Sequence, residues 1–281
     1  VIAAVLVATI AQQSPELVFR SEVRMVEVYA AVFHGGEYVD GLSADRFRIL
    51  DNRVPVQIRS FEPAGSVLTC AILLDTTGSM EEDLPGVKNS INRLIDDLRP
   101  ADRVGVFGFS SSLTVLRDFD QDKKEAKNAV LRVRAGGTTA LFDAISQTAQ
   151  ALAAQRGRKA LIVFTDGKDN ASVLNLTSAG RRAKRSGVPI YTVALGEALK
   201  ARELRDQLED LAWATGGNSY EARGRKHLDR MFADISLDMS HTYMLAYQTP
   251  SDAGRNWRVI EVTIPGGAKC KIRAKEGYFL D

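Results

Sequence analysis

Hydrophobic positions change their pattern twice along the chain. Over residues 16–60 they alternate with polar ones, as in Val23, Met25, Val26 and Val28, then Ala30 and Val32. That period predicts strands with one face buried. His34-Gly35-Gly36-Glu37 reads as a turn. Phe47, Ile49 and Leu50, a turn at Asp51-Asn52, then Val54, Val56 and Ile58 predict a hairpin. Pro63-Ala64-Gly65-Ser66 has the composition of a linker.

From residue 68 the runs become continuously apolar. Residues 68–74, 104–109, 159–165 and 188–195 read as strands buried on both faces, and 113–116 as a short antiparallel neighbour. Between them, helical spacing predicts helices over 85–98, 140–154, 173–186, 201–214 and 225–239. Gly187 supplies a C-cap for the third of these. Such alternation predicts an α/β fold, a doubly wound, mostly parallel sheet with helices on both faces. After His241 the strand pattern returns at 243–247, 257–264 and 270–274. Neither end segment is long enough for a domain of its own. We therefore expect residues 16–65 and 241–281 to combine into one small β-rich domain beside the α/β domain of residues 66–240.

Composition narrows the class without naming a function. The 281 residues carry 37 Lys and Arg against 35 Asp and Glu, a net charge of +2. That balance argues against nucleic acid as a partner. Residues 1–11 (VIAAVLVATIA) are uncharged and apolar but too few to span a bilayer, which takes about 20. Their length is that of a signal-peptide core, with Thr9 and Ala11 suited to the small-residue cleavage rule. We expect a signal remnant, an extracytoplasmic location (secreted, periplasmic or envelope-associated) and no integral span. Cys70 and Cys270 are expected to be small core residues rather than a disulfide.

Candidate chemistry gathers in three loops at one sheet edge. Asp75-Thr76-Thr77-Gly78-Ser79 follows the first buried strand. Gly136-Gly137-Thr138-Thr139 precedes a helix. Thr165-Asp166-Gly167 follows a third buried strand. Ligands bind outside the carboxyl ends of strands in open parallel sheets. Asp75 and Asp166 with the hydroxyls of Thr77, Ser79 and Thr139 would form an all-oxygen donor set, which suits a hard divalent cation.

That set resembles the metal-ion-dependent adhesion site of von Willebrand factor type A domains. Asp75-x-Thr77-x-Ser79 stands for the family's Asp-x-Ser-x-Ser, with Thr77 keeping the hydroxyl. Thr139 fits the family's metal-site Thr better than Thr138, because Ala144 and Ile145 follow it at five and six positions. Asp166 matches the third loop. The resemblance covers about residues 68–240, and the flanks are similar to bacterial proteins of this kind with β-rich leads and tails. It implies a Rossmann-like sheet and Mg2+, Mn2+ or Ca2+ held by Asp75, Thr77, Ser79, Thr139 and Asp166. It also implies a protein partner whose Asp or Glu completes the metal shell, without catalysis.

Other residues have plainer readings. Asp143 is expected on a helix surface or behind the metal ligands, and Asp169 as a solvated loop charge. The run Arg181-Arg182-Ala183-Lys184-Arg185 is expected as a solvated last helical turn. Trp213 reads as core, and Trp257 as packing between domains or within the β core. A metal-dependent hydrolase would need a general base or nucleophile, and no His or Cys lies in the three loops. An envelope scaffold whose metal only braces loops is the remaining alternative.

Overall fold

A computed structural model describes residues 24–250, 257–266 and 269–280; residues 1–11 lie outside them. The lead contains β1 (Met25–His34), β2 (Glu37–Tyr38), β3 (Arg48–Asp51), β4 (Val54–Val56) and β5 (Ile58–Glu62). The middle contains β6 (Leu68–Asp75), α1 (Leu84–Asp97), β7 (Arg103–Phe109), β8 (Leu113–Asp120), α2 (Lys123–Arg132) and α3 (Leu141–Ala153). It continues with β9 (Arg158–Thr165), α4 (Leu176–Ser186), β10 (Ile190–Ala194), α5 (Arg202–Thr215), β11 (Ser219–Glu221) and α6 (Arg225–His241). The tail contains β12 (Thr242–Gln248), β13 (Trp257–Thr263), β14 (Cys270–Ala274) and β15 (Gly277–Phe279).

The middle strands form one sheet in the order β11-β10-β9-β6-β7-β8. All pairs are parallel except β7 with β8. Every residue of β6 and β9 is buried, which explains their unbroken apolar runs. Side chains alternate between two cores. Cys70, Ile72 and Leu74 share one with residues of α1, α2 and α6. Ala71 and Leu73 share the other with residues of α3, α4 and α5. The chain leaves β6 toward β7 and leaves β9 toward β10. The order therefore reverses between β6 and β9, the position where doubly wound sheets bind ligands.

Strands from both ends of the chain share two further sheets. One runs β14-β1-β12-β5, with β2 paired to β1; the other runs β15-β13-β3-β4. Val26, Val28, Ala30 and Val32 of β1 pack into a core with Phe47, Ile49, Tyr243, Leu245, Tyr247, Ile260 and Tyr278. On the other face of β1, Tyr29 packs with Met244 and Ala246, and its hydroxyl reaches Glu27 at 3.1 Å. The hairpin from β3 to β4 turns at Asn52 and Arg53, both at positive φ (48° and 65°). That is the signature of the tight turn whose twist matches a hairpin. Ile58 leaves the hairpin and begins β5, which pairs with β12 instead.

The layers are tied by polar contacts as well as packing. α6 passes into β12 without a loop. At its end the buried Asp238 accepts hydrogen bonds from Tyr38 Oη and Tyr191 Oη, both 2.7 Å, and from Arg273 Nη2 at 2.6 Å. Arg158 is buried and donates to the carbonyls of Ser66 and Met239. Arg181, Arg182 and Arg185 are exposed in the last turns of α4, in keeping with a solvated basic run, while Arg181 also lies over the ring of Phe279 and the half-buried Lys184 over that of Trp257. Trp257 itself packs on Phe279, with centroids 4.8 Å apart. Trp213 is 60% exposed and not core. Cys70 and Cys270 are both free thiols.

One buried charge in this junction makes a measurable prediction. Lys275 is buried, and desolvation pushes its ammonium down to about 8; Glu27 opposes that shift and Lys159 reinforces it. Glu27 is already paired to Lys159 Nζ at 2.7 Å. Above pH 8 the folded ammonium has lost its proton while the unfolded one still holds it, so raising the pH favours the fold. Wild-type stability relative to Lys275→Met should therefore rise by about 1 kcal/mol per pH unit between pH 8 and 10. Urea unfolding of both chains across that range checks it, and a flat difference would refute it.

Candidate metal centre

The three loops converge where the strand order reverses. Asp75 ends β6 and is 0% exposed; Asp166 follows β9 and is 1% exposed. Adjacent parallel strands with matched register bring both to the same edge. Asp75 Oδ1 accepts from the backbone N–H of Thr77 at 3.0 Å, which folds the first loop back on its own strand. Its Oδ2 accepts from Thr165 Oγ1 at 2.7 Å. Thr77 and Ser79 hydroxyls lie 3.1 Å apart, and Ser79 Oγ donates to Asp166 Oδ1 at 2.9 Å. Four of the five residues read from the sequence thus form one hydrogen-bonded chain.

Thr139 joins them across Gly167. A Cβ on Gly167 would stand 3.6 Å from Thr139 Oγ1 and 3.9 Å from Ser79 Oγ, ordinary contact distances that put both hydroxyls beside the same point of the third loop. Thr139 is 4% exposed, whereas Thr138 is exposed. Its backbone is held by the third loop. Thr139 N–H donates to Asn170 Oδ1 at 2.8 Å, and its carbonyl accepts from the N–H groups of Asn170 and Ala171 at 2.9 and 3.1 Å. Gly136 N–H donates to the Thr76 carbonyl at 2.7 Å, which joins the second loop to the first.

Two acids near the edge brace this arrangement. Asp169 Oδ2 accepts from Phe142 N–H at 2.8 Å and from Ser172 Oγ at 2.5 Å, so it caps the start of α3 and is not a solvated charge. Asp143 accepts from Val173 and Leu174 N–H groups at 2.8 and 3.0 Å. These bonds hold residues 168–175 as a loop, and α4 begins at Leu176 instead of 173, with Asn175 as its cap. Asp83 and Asn170 lie in the loops that follow the first and third motif stretches, and no motif marks either of them. Gly196, at φ 41°, brings the loop after β10 against Asp83 and Asp166. A Cβ there would sit 2.9 Å from Asp83 Oδ2 and 3.3 Å from Asp166 Cβ.

The electrostatics suit a cation. Desolvation raises the Asp75 carboxyl above its usual range, against hydrogen bonds from Thr77 and Thr165. Desolvation, with the charges of Asp75 and Asp83, pushes Asp166 up to about 6, opposed by its bond from Ser79. The charges acting on Asp166 are thus negative, and a divalent ion would relieve them. Among the described residues no group of three or more His, Cys, Asp or Glu is placed to hold a metal. Two carboxylates with three hydroxyls therefore form a set that depends on neutral oxygens, which fits a hard cation.

Comparison with known proteins agrees with this picture of the middle sheet. A family model for the von Willebrand factor type A domain matches residues 70–230. The UPF0353 protein of Mycobacterium avium is 25% identical over 200 residues, covering 62% of this chain and 58% of the relative. The chain therefore spans little more than half the length of that curated relative. Among solved structures, a von Willebrand factor type A protein from Catenulispora acidiphila covers 95% of this chain and 76% of its own, at 15% identity and a TM-score of 0.53. Proximal thread matrix protein 1 from the mussel byssus, with a zinc-occupied MIDAS motif, covers 66% of this chain and 49% of its own. Its identity is 17% and its TM-score 0.55. At such identities the likeness is one of fold.

Proposed function

The chain belongs to the von Willebrand factor type A family, and from that premise we propose that it is a divalent-metal-dependent protein-binding module. Asp75, Thr77, Ser79, Thr139 and Asp166 would hold Mg2+, or Mn2+ or Ca2+ in its place. The bound ion would supply Lewis acidity for a partner's Asp or Glu carboxylate. The observation that carries this reading is the pairing of two buried carboxylates with three converging hydroxyls and negative charge around them. The zinc-occupied motif of the mussel protein is consistent with it. Ser79 and Gly78 are exposed, so the cluster opens to solvent at one side, where a partner can approach.

In this reading the chain's own residues position and do not react. Thr165 and the Thr77 N–H orient Asp75; Asn170 fixes Thr139; Ser79 orients Asp166. No His or Cys lies in the three loops to act as base or nucleophile, so binding without catalysis is the function we assign. An extracytoplasmic location belongs to the same proposal, resting on the apolar run of residues 1–11. No helix among the described residues is long and apolar enough to cross a membrane.

The test is a thermal-unfolding titration with Mg2+, Mn2+ and Ca2+ after chelation. A ligand at 100 times its Kd adds about 2.7 kcal/mol, so a clear rise in Tm is expected with at least one ion. No rise with any of the three would sink the proposal. Asn170→Ala removes the acceptor that fixes Thr139. It should weaken the same ion about ten-fold, the lower range for losing a group behind a metal ligand. Calorimetric titration of the variant measures this, and unchanged affinity would deny Asn170 that role.

A further inference from the structure

A groove of about 340 Å3 begins at Asp166 and runs along the loop after β10. Its lining combines methyl groups of Ala198, Ala201 and Leu204 with the polar Lys168, Glu197 and Lys200. Ala198 and Leu204 are buried members of the core under α3, α4 and α5, so the base of the groove is the outer edge of a packed core and is rigid. The charges above it are matched in pairs. Lys200 Nζ lies 2.6 Å from Glu197, and Lys168 Nζ lies 4.0 Å from Glu203. Within the lining itself Asp166 and Glu197 balance Lys168 and Lys200, so the groove asks for no net charge in what fills it. Its volume is near the lower end of ligand cavities, which run from about 300 to 1,000 Å3. That suits one or two amino-acid side chains.

We propose that this groove takes an aliphatic side chain of the partner, two residues from the carboxylate that binds the metal. The inference rests on the metal-dependent reading above. In an extended segment, residues two apart point to the same side, roughly 6.6 Å from one another. A segment laid along the loop after β10 with its acid at the metal site would place the side chain two positions away over the groove that starts at Asp166. Apolar burial there is favourable at roughly 25 cal/mol per Å2, while the paired rim charges would penalise an unmatched Lys or Asp in the same place. The partner segment is then an extended Asp or Glu with Leu, Ile or Val at a spacing of two.

Two blocked heptapeptides test this in Mg2+ buffer. One has a central Asp with Leu two residues to each side, and the other has Ser in both Leu positions. The Leu peptide should bind the wild-type chain about ten-fold more tightly, measured by fluorescence polarisation of labelled peptides. Ala201→Phe, which fills the groove, and Ala201→Asp, which charges it, should each bring the two peptides to within about two-fold of each other. A parallel Mg2+ titration of each variant separates a groove effect from damage to the metal site. Equal affinities in the wild type, or a preference that persists in both variants, would overturn the groove alone. Mg2+ binding without binding of either peptide would overturn carboxylate capture as well. Absence of Mg2+ binding would overturn the metal reading beneath both.

Discussion

Asp75→Asn should lose Mg2+ binding by more than about 100-fold while keeping the fold. Removing even a group behind a metal ligand costs roughly 10–100-fold, and Asp75 is a carboxylate at the centre of the set. The Asn side chain has the same shape, so one oxygen can still accept from Thr77 or Thr165, and the β6 loop retains its path. Burial of an ionised Asp75 is unfavourable without a cation, since desolvation dominates its environment. The neutral variant should therefore unfold no earlier than the metal-free wild type, while the rise in Tm on adding Mg2+ disappears. Calorimetry and thermal unfolding with and without Mg2+ measure the two effects. Undiminished affinity in Asp75→Asn would remove the residue from the site.

The largest expected effect on stability lies far from the metal. Asp51 is 0% exposed and accepts from Arg258 Nε at 2.6 Å, Tyr278 Oη at 2.7 Å and Tyr247 Oη at 3.0 Å. Its partners come from β12, β13 and β15, so one carboxylate fastens both β sheets. Burial pushes both phenols above their ordinary range; Tyr278 and Asp51 add to the shift at Tyr247, and Asp51 adds to that at Tyr278, where the bond with Tyr247 opposes it. Asp51→Ala leaves a guanidinium and two phenols buried without an acceptor. Breaking a buried pair by removing one partner costs about 3–5 kcal/mol, and we expect that range in urea unfolding. Arg258→Met with Asp51→Leu, which removes both charges, should recover part of the loss. A cost below about 1 kcal/mol for Asp51→Ala would show that water reaches these groups.

How far the chain could be read in advance depended on how local each cause was. β6 and β9 are legible because burial on both faces leaves no room for polar residues. The candidate set stands out because Asp75, Thr77 and Ser79 fall at alternate positions of one short loop and Asp166 follows a buried strand. α2 gave little signal: in KKEAKNAVLR only Ala126, Ala129 and Val130 are buried, and the apolar stripe is too thin to stand out. Trp213 misleads because it lies five residues after Leu208, about 140° around the helix at 3.6 residues per turn. That turns it away from the face that buries Leu204, Leu208 and Leu211. Asp169, Asn170 and Gly196 owe their roles to loops from different strands, which only the sheet order brings together. The rings under Arg181 and Lys184 arrive from the far end of the chain, so no local pattern could have placed them.

The antiparallel embrace of β1 by β12 and β14 has a mechanical consequence. Tension applied on the Met25 side and the Phe279 side would enter strands that share two adjoining sheets. Its shortest route runs through β1, its two partners and the β13–β15 pairing, and all of these must shear before load reaches β6. The middle sheet hangs from that route as a side loop, attached at the link from β5 to β6 and at the passage from α6 into β12. A tethered molecule under traction would therefore keep the edge bearing Asp75 and Asp166 slack until its terminal strands part.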